Sequence, residues 1–206
     1  MSRYAGTPDL INYRFGTLTA GTIGAIGGTL TPSVRQLMQD CLDEAESAIN
    51  DYTRRQFAGT AGTAYYNRFS QHLVKNQALY LREDLHTLVS LTNGDSQSIP
   101  TGSVWLEPRN AGPPYRLLRL HSAYVYVWNT DSDIIVAGTF GFSTVPPAAI
   151  ARACVELASY FYQLKDVGPT DVAGVSAAGE VQYPKDMPDY VRSKIEKYRS
   201  RSGGVV

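Results

Sequence analysis

The hydrophobic period of this chain changes twice, and those two changes limit what it can fold into more than any motif does. From Thr31-Pro32 onward, Val34, Leu37, Met38, Cys41, Ala45, Ala48, Ile49 and Tyr52 recur at three- and four-residue steps. Such spacing lines one face of a helix with apolar side chains. Thr31 can accept hydrogen bonds from the first free backbone N–H groups, and Pro32 suits the first helical position because its missing N–H would go unpaired there. Asp40, Asp43, Glu44 and Glu46 are expected to face away from the stripe, with Arg54 and Arg55 near the C-terminal end, where the helix dipole favours a cation. The spacing predicts a helix over about 32–57, ending before Gly59.

Between about 60 and 145 the period shortens. Tyr65–Phe69, Ala78–Leu81, Leu88–Leu91, Val104–Leu106, Arg116–Leu120, Tyr124–Trp128 and Ile134–Val136 are short runs of β-forming residues separated by turn residues such as Asn93-Gly94-Asp95 and Gly112-Pro113-Pro114. An antiparallel segment of about six strands is expected. After Pro146-Pro147 the helical period returns: Ile150, Ala153, Cys154, Leu157, Ala158, Phe161 and Leu164 share a face, widened by Val155 and Tyr162. That second helix, about 147–165, is apolar around so much of its girth that it should be covered on more than one side.

The fold class expected is therefore α+β, a small helical core with an inserted antiparallel β segment and two extended arms. Residues 1–31 form a Gly/Thr-rich N-terminal arm with a short strand near Ile11–Leu18, residues 32–165 the core with its insert, and residues 166–206 a linker and C-terminal arm. In the last stretch a Gly-, Ala- and Ser-rich linker leads to a short basic helix from Pro188, with Val191, Ile195 and Tyr198 on one side. Lys194, Lys197, Arg199 and Arg201 lie around it. Three apolar residues are too few to hold such a helix against its own core, so the arm is expected to be mobile until a partner completes its surroundings.

Nineteen Lys and Arg cancel nineteen Asp and Glu over 206 residues, so no net field draws free nucleic acid or anionic lipid. The uncharged stretches Phe15–Val34 and Ile134–Ala151 are too rich in Gly, Thr and Pro to span a bilayer. No membrane contact is expected. The opening residues lack the apolar run of a secretory leader, and the chain is expected to stay where it is made. Two cysteines, Cys41 and Cys154, each fall on a helical stripe, where a thiol behaves as a small hydrophobe; both are expected to be buried and reduced.

Chemistry-bearing constellations are missing. Gly21, Gly24, Gly27 and Gly28 do not make the G-x-G-x-x-G fingerprint, and neither Ser143 nor Ser176 sits in a G-x-S-x-G elbow. His72, His86 and His121 could converge on a metal, but their spacing does not demand it. No catalytic residue, metal ligand or cofactor is assigned, and the protein is read as a non-enzyme. Its Tyr-rich strands suit core packing and subunit contact.

One helix closing in Tyr52-Thr53-Arg54-Arg55-Gln56-Phe57, then strands, then Gly141-Phe142-Ser143-Thr144-Val145-Pro146 leading to Ile150 resembles the head-to-tail connector (adaptor) family of tailed bacteriophages. In that family an aromatic-x-Arg-Arg-x-Phe pattern closes the first core helix, and a Gly-Phe … Val-Pro … Ile turn launches the second. The closing Met187-Pro188 … Tyr198-Arg199 is similar to the family's C-terminal end. The resemblance implies a structural virion protein in the neck, assembled in the host cytoplasm as a homo-oligomeric ring, expected to be a dodecamer. It implies docking on the portal protein, an attachment platform for a downstream neck or tail protein, and a channel that genomic DNA crosses without sequence-specific binding. The portal-binding arm it suggests comprises Val191, Lys194, Ile195, Lys197, Tyr198, Arg199 and Arg201. Two departures stand out: family members commonly open with a further helix where this chain has its Gly/Thr-rich arm, and the β insert is long. The alternatives are a tail-completion protein, or a β-rich carbohydrate-binding protein or hydrolase using His72, His86 and His121.

Overall fold

A computed structural model describes residues 4–15, 31–67, 78–121, 126–167, 174–175, 181–182 and 187–200. The fold is α+β, and the chain divides into two compact units, a helical one (Met1–Arg54 with Pro147–Val206) and a β unit (Arg55–Pro146). Arms 16–30 and most of 168–186 lie outside the described residues.

In the helical unit, α1 spans Thr7–Phe15, α2 Pro32–Thr53, α3 Ala148–Val167 and α4 Asp189–Ile195, the last followed by a 3-10 turn at Glu196–Tyr198. The start of α2 is the one expected: Thr31 Oγ1 accepts from the Val34 N–H at 3.3 Å, and Pro32 occupies the first turn. Its end comes earlier than expected, at Thr53 rather than near Phe57. Arg54 adopts a left-handed conformation (φ 54°, ψ 40°) and donates its N–H to Asn50 O, which closes the helix there.

Helix α3 is the centre of this unit and is packed on by α1, α2 and α4, which accounts for its wide apolar girth. Ile150, Ala153, Cys154, Leu157 and Ala158 have no exposed surface, and they meet Met38, Cys41, Leu42, Ala45 and Ile49 of α2, equally enclosed. Both cysteines are buried and not joined in a disulfide; Cys154 Sγ lies 3.9 Å from Leu42 O.

The N-terminal segment differs from the sequence-based expectation. Residues 7–15 form a helix, not part of a strand. Asp9 Oδ2 accepts from the Gly6 N–H at 2.7 Å, Pro8 sits in the first turn, and Leu10 is fully buried. This helix also explains why Glu46 is only 8% exposed instead of facing solvent. Gln39, Asp43, Glu46 and Asn50 share one flank of α2, and the chain around α1 runs over it: Thr7 Oγ1 donates to Gln39 Oε1 at 3.2 Å and Tyr4 donates its hydroxyl hydrogen to Asn50.

The β unit holds β1 (Thr60–Tyr66), β2 (Ala78–Thr92), β3 (Val104–Glu107), β4 (Tyr115–Leu120) and β5 (Ile134–Phe140) in one antiparallel sheet of order β1-β5-β2-β4-β3. The expected runs at 78–81 and 88–91 are one long strand. Its first part, to Leu85, pairs with β4, and from Leu85 on it pairs with β5, with register shifts at Leu85/Thr87 and Leu88/Ser90. Tyr126–Trp128 form no strand, and Tyr124 and Val125 lie outside the described residues. Alternate residues of β5, Ile134, Val136 and Phe140, are buried with Leu79, Leu85, Leu91, Ile99 and Leu118 on one face of the sheet. Among the described residues no helix is long and apolar enough to cross a membrane. Within the stretch expected as linker, Gly174–Val175 (β6) pairs with Val181–Gln182 (β7).

Candidate functional site

The family-like residues of the β unit are brought together at its two chain ends. Arg55–Gly59 leads into β1 and Gly141–Pro146 leads out of β5, and the two segments run side by side. Phe142 N donates to Gln56 O at 2.7 Å, Gly59 N to Ser143 O at 2.7 Å, and Ala58 and Ser143 form a parallel bridge. Ser143 Oγ donates to Val145 O at 2.6 Å and lies 3.2 Å from Phe57 O. The Phe57 and Phe142 rings stand 5.5 Å apart with a 52° tilt, and the Arg55 guanidinium lies 5.3 Å from the Phe142 ring centre.

Gly141 makes the close approach possible. Its φ of +140° lies in the region that only glycine enters without strain, and a Cβ there would fall 2.8 Å from Gly59 Cα. The Gly-Phe pair of the motif thus has a physical reason: glycine lets the outgoing strand press against the incoming one, and phenylalanine fills the contact.

Beneath this junction sits Asp84 of β2, with 3% of its side chain exposed. Arg116 Nε donates to Asp84 Oδ1 at 2.7 Å, Arg55 Nη1 lies 3.3 Å from Oδ2, and the Asp84 carbonyl accepts from Gly141 N at 2.7 Å. The Asp84 carboxylate therefore holds two guanidinium groups, and the backbone carbonyl of the same residue holds the motif glycine. Burial pulls the Arg55 guanidinium below its usual range, against the opposing pull of Asp84. Val145 is 73% exposed, Pro146 half-buried.

The remaining family-like residues belong to the helical unit. Ile150 is core, and Arg54 is the α2 cap. Tyr52 donates its hydroxyl hydrogen to the Glu196 carboxylate, while Arg192 and Arg199 stand 5.7 and 5.4 Å from its ring centre. The hydrogen bond to Glu196 pushes the Tyr52 phenol up.

The candidate C-terminal residues occupy two different environments. Val191 and Ile195 have no exposed surface and Met187 only 5%, so α4 is anchored in its own unit, contrary to the expectation of a mobile segment. Lys194 Nζ donates to Glu156 Oε2 at 2.6 Å, and Arg152 Nε to Glu156 Oε1 at 3.0 Å. Burial pushes the Glu156 carboxyl up, but the Lys194 and Arg152 hydrogen bonds outweigh it and hold the group below its usual range. Ser200 N donates to Thr53 O at 2.8 Å, tying the end of α4's extension to α2. Lys197 and Arg199 remain exposed, Tyr198 half-buried, and Arg201 lies outside the described residues. Sequence reasoning missed this anchoring because the partner, Glu156, is on α3 and the extra apolar contact, Met187, precedes the helix.

The histidines are not gathered. His86 lies on β2, His121 stands edge-on to Trp105 at 4.4 Å, and His72 is outside the described residues. No group of His, Cys, Asp and Glu suited to a metal occurs among the described residues.

No family model matches the sequence, and no curated protein matches it significantly. Solved structures do. A chain in the neck of the empty gene transfer agent (GTA) particle, computed with C6 symmetry, is 17% identical with a TM-score of 0.60, over 96% of this chain and 91% of that one. A chain in the virion of the native GTA particle is 18% identical with a TM-score of 0.60 over the same shares. In the neck of the native particle computed with C12 symmetry the identity is 18% and the TM-score 0.55, over 91% and 95%. Along almost its whole length, this chain has the fold of chains from gene transfer agent particles, two of them from the neck.

Proposed function

We propose that this protein is a structural component of a virion neck: a head-to-tail connector whose copies form a ring on the portal, continue the DNA channel and offer a platform to the next neck or tail protein. The observation that carries the reading is the fold likeness, which spans both units and both core helices and whose neighbours come from necks treated with C6 and C12 symmetry. Binding is the activity, and no chemical step is assigned. The junction of Arg55, Phe57, Asp84, Gly141 and Phe142 serves this role as an internal brace. Its ion pairs and backbone hydrogen bonds fix where the β unit begins and ends.

The portal-facing part of the proposal rests on Lys197, Tyr198, Arg199 and Arg201, since Val191 and Ile195 are core and Lys194 is engaged by Glu156. An acidic portal surface would attract this cationic end, and added salt would weaken the attraction. Particles produced without the chain test the function. The expected product is genome-filled heads without tails; intact tailed particles would refute the connector reading.

A further inference from the structure

The two edges of the five-stranded sheet are built differently. At one end, β3 has the features that stop a further strand from adding. It is four residues long, Glu107 takes Arg119 at 2.9 Å, Pro108 follows, and the Arg109 guanidinium lies 5.1 Å from the Trp105 ring centre. At the other end, β1 has none of them. Its seven residues pair with β5 without a register shift, so no bulge twists the edge away, and residues 56–67 include no charged residue and no proline.

A strand paired on one side turns the N–H and C=O groups of alternate residues away from its neighbour. Among the described residues no strand lies on that side of β1. Ala61, Gly62 and Thr63 are exposed, and their small side chains leave the backbone open to approach. The sheet face beside this edge has the same chemistry. Ala64 and Tyr66 pack on the core, so Ala61, Thr63 and Tyr65 stand on the other face, opposite the partly exposed and uncharged Thr139, Ala137 and Ile135 of β5. Tyr65 is 62% exposed. A strand laid along β1 would gain main-chain hydrogen bonds and the flank of Tyr65 without desolvating any charge on this side.

We infer that β1 is the docking edge for an extended, uncharged segment of the next neck or tail protein, which adds to the sheet as a further strand. The described strands of a second copy do not fit the edge. β3 is blunted, β6 and β7 have two residues each, and β1 against β1 would be a two-fold contact, which stops at a dimer instead of propagating around a ring. The proposed portal contact is assigned to the C-terminal residues of the helical unit, which leaves the β unit for the protein that follows. The lack of charge sets the chemistry of the occupant: an acidic or basic side chain turned toward Ala61–Tyr65 would find no counter-ion there. This rests on the neck reading of the proposed function and names the edge that carries its platform.

A reconstruction of tailed particles that traces individual strands in the neck tests the inference. A strand of a different polypeptide should run beside β1 at about 4.8 Å. A strand contributed there by this chain, from the same copy or another, would overturn the assigned occupant. An edge left facing solvent would overturn the docking edge while leaving the neck reading intact, and absence of the chain from the neck would overturn both. Ala61→Lys with Thr63→Lys supplies an independent readout, since both positions are exposed and lysine on an edge opposes strand addition. Heads carrying the double variant should keep the chain, yet their joining to purified tails should fall by about tenfold or more. Val89→Lys, at a position 67% exposed on β2, is the control and should leave joining unchanged. Joining by the double variant equal to that of the parent chain would count against the β1 edge.

Discussion

Arg55 and Arg116 share a single carboxylate, that of Asp84, which is almost wholly enclosed while both cations reach it from other parts of the β unit. The relationship ties the incoming segment, β2 and β4 into one electrostatic unit directly under the Gly141-Phe142 turn. Such an arrangement is costly to break one-sidedly, because removing the anion leaves two guanidinium groups facing each other in a poorly hydrated place.

Asp84→Ala is therefore expected to destabilise the β unit by about 3 kcal/mol, and Asp84→Asn by less, since the amide keeps an acceptor for one arginine. Urea unfolding followed by tryptophan fluorescence measures it through Trp105 and Trp128. Losses under about 0.5 kcal/mol for Asp84→Ala would mean that the brace contributes nothing.

Gly141→Ala should cost at least about 2 kcal/mol, from the φ of +140° and the 2.8 Å approach to Gly59 Cα together. Gly102→Ala is the matching control, since a Cβ there meets nothing within 4 Å. Thermal unfolding of the two variants should separate them clearly.

Acid should loosen α4. Glu156 is held below its usual range in the folded protein, so its contribution is present above the unfolded carboxylate value and is lost as pH falls through the lower folded one. Hydrogen exchange of residues 187–200 is the measurement: protection should hold near neutrality and fall below about pH 4. Glu156→Gln should lower protection already at neutral pH and flatten the pH dependence.

Both thiols should react slowly with a maleimide in the native protein and at once in denaturant. Burial pushes the Cys41 thiol up, with Lys165 pulling the other way, so little thiolate forms at neutral pH. Alanine at either position is expected to cost about 1 kcal/mol through lost packing.

How much of this could be read from the residues follows from how local each signal is. Helices α2 and α3 were legible because their stripes are long and regular, and Cys41 and Cys154 landed in the core they predict. Alternation revealed the strands, but Arg82-Glu83-Asp84 interrupts β2 and made one strand look like two. Nothing in the sequence says that Asp84 is buried, because its partners Arg55 and Arg116 come from distant segments. Helix α1 escaped notice because, among its described side chains, Leu10 alone is fully buried, and Glu46 was misplaced for want of α1. Within the motifs, the order of Arg55, Phe57, Gly141 and Phe142 was visible, but not that their rings and backbones touch.

The central claim is that this chain builds part of a neck ring, and a cryo-electron microscopy reconstruction of the neck in particles that contain it tests that claim most directly. The account predicts a ring between head and tail into which the helical unit and the β unit both fit. A neck built without this chain, with the protein found instead on the capsid surface or at the tail tip, would contradict it.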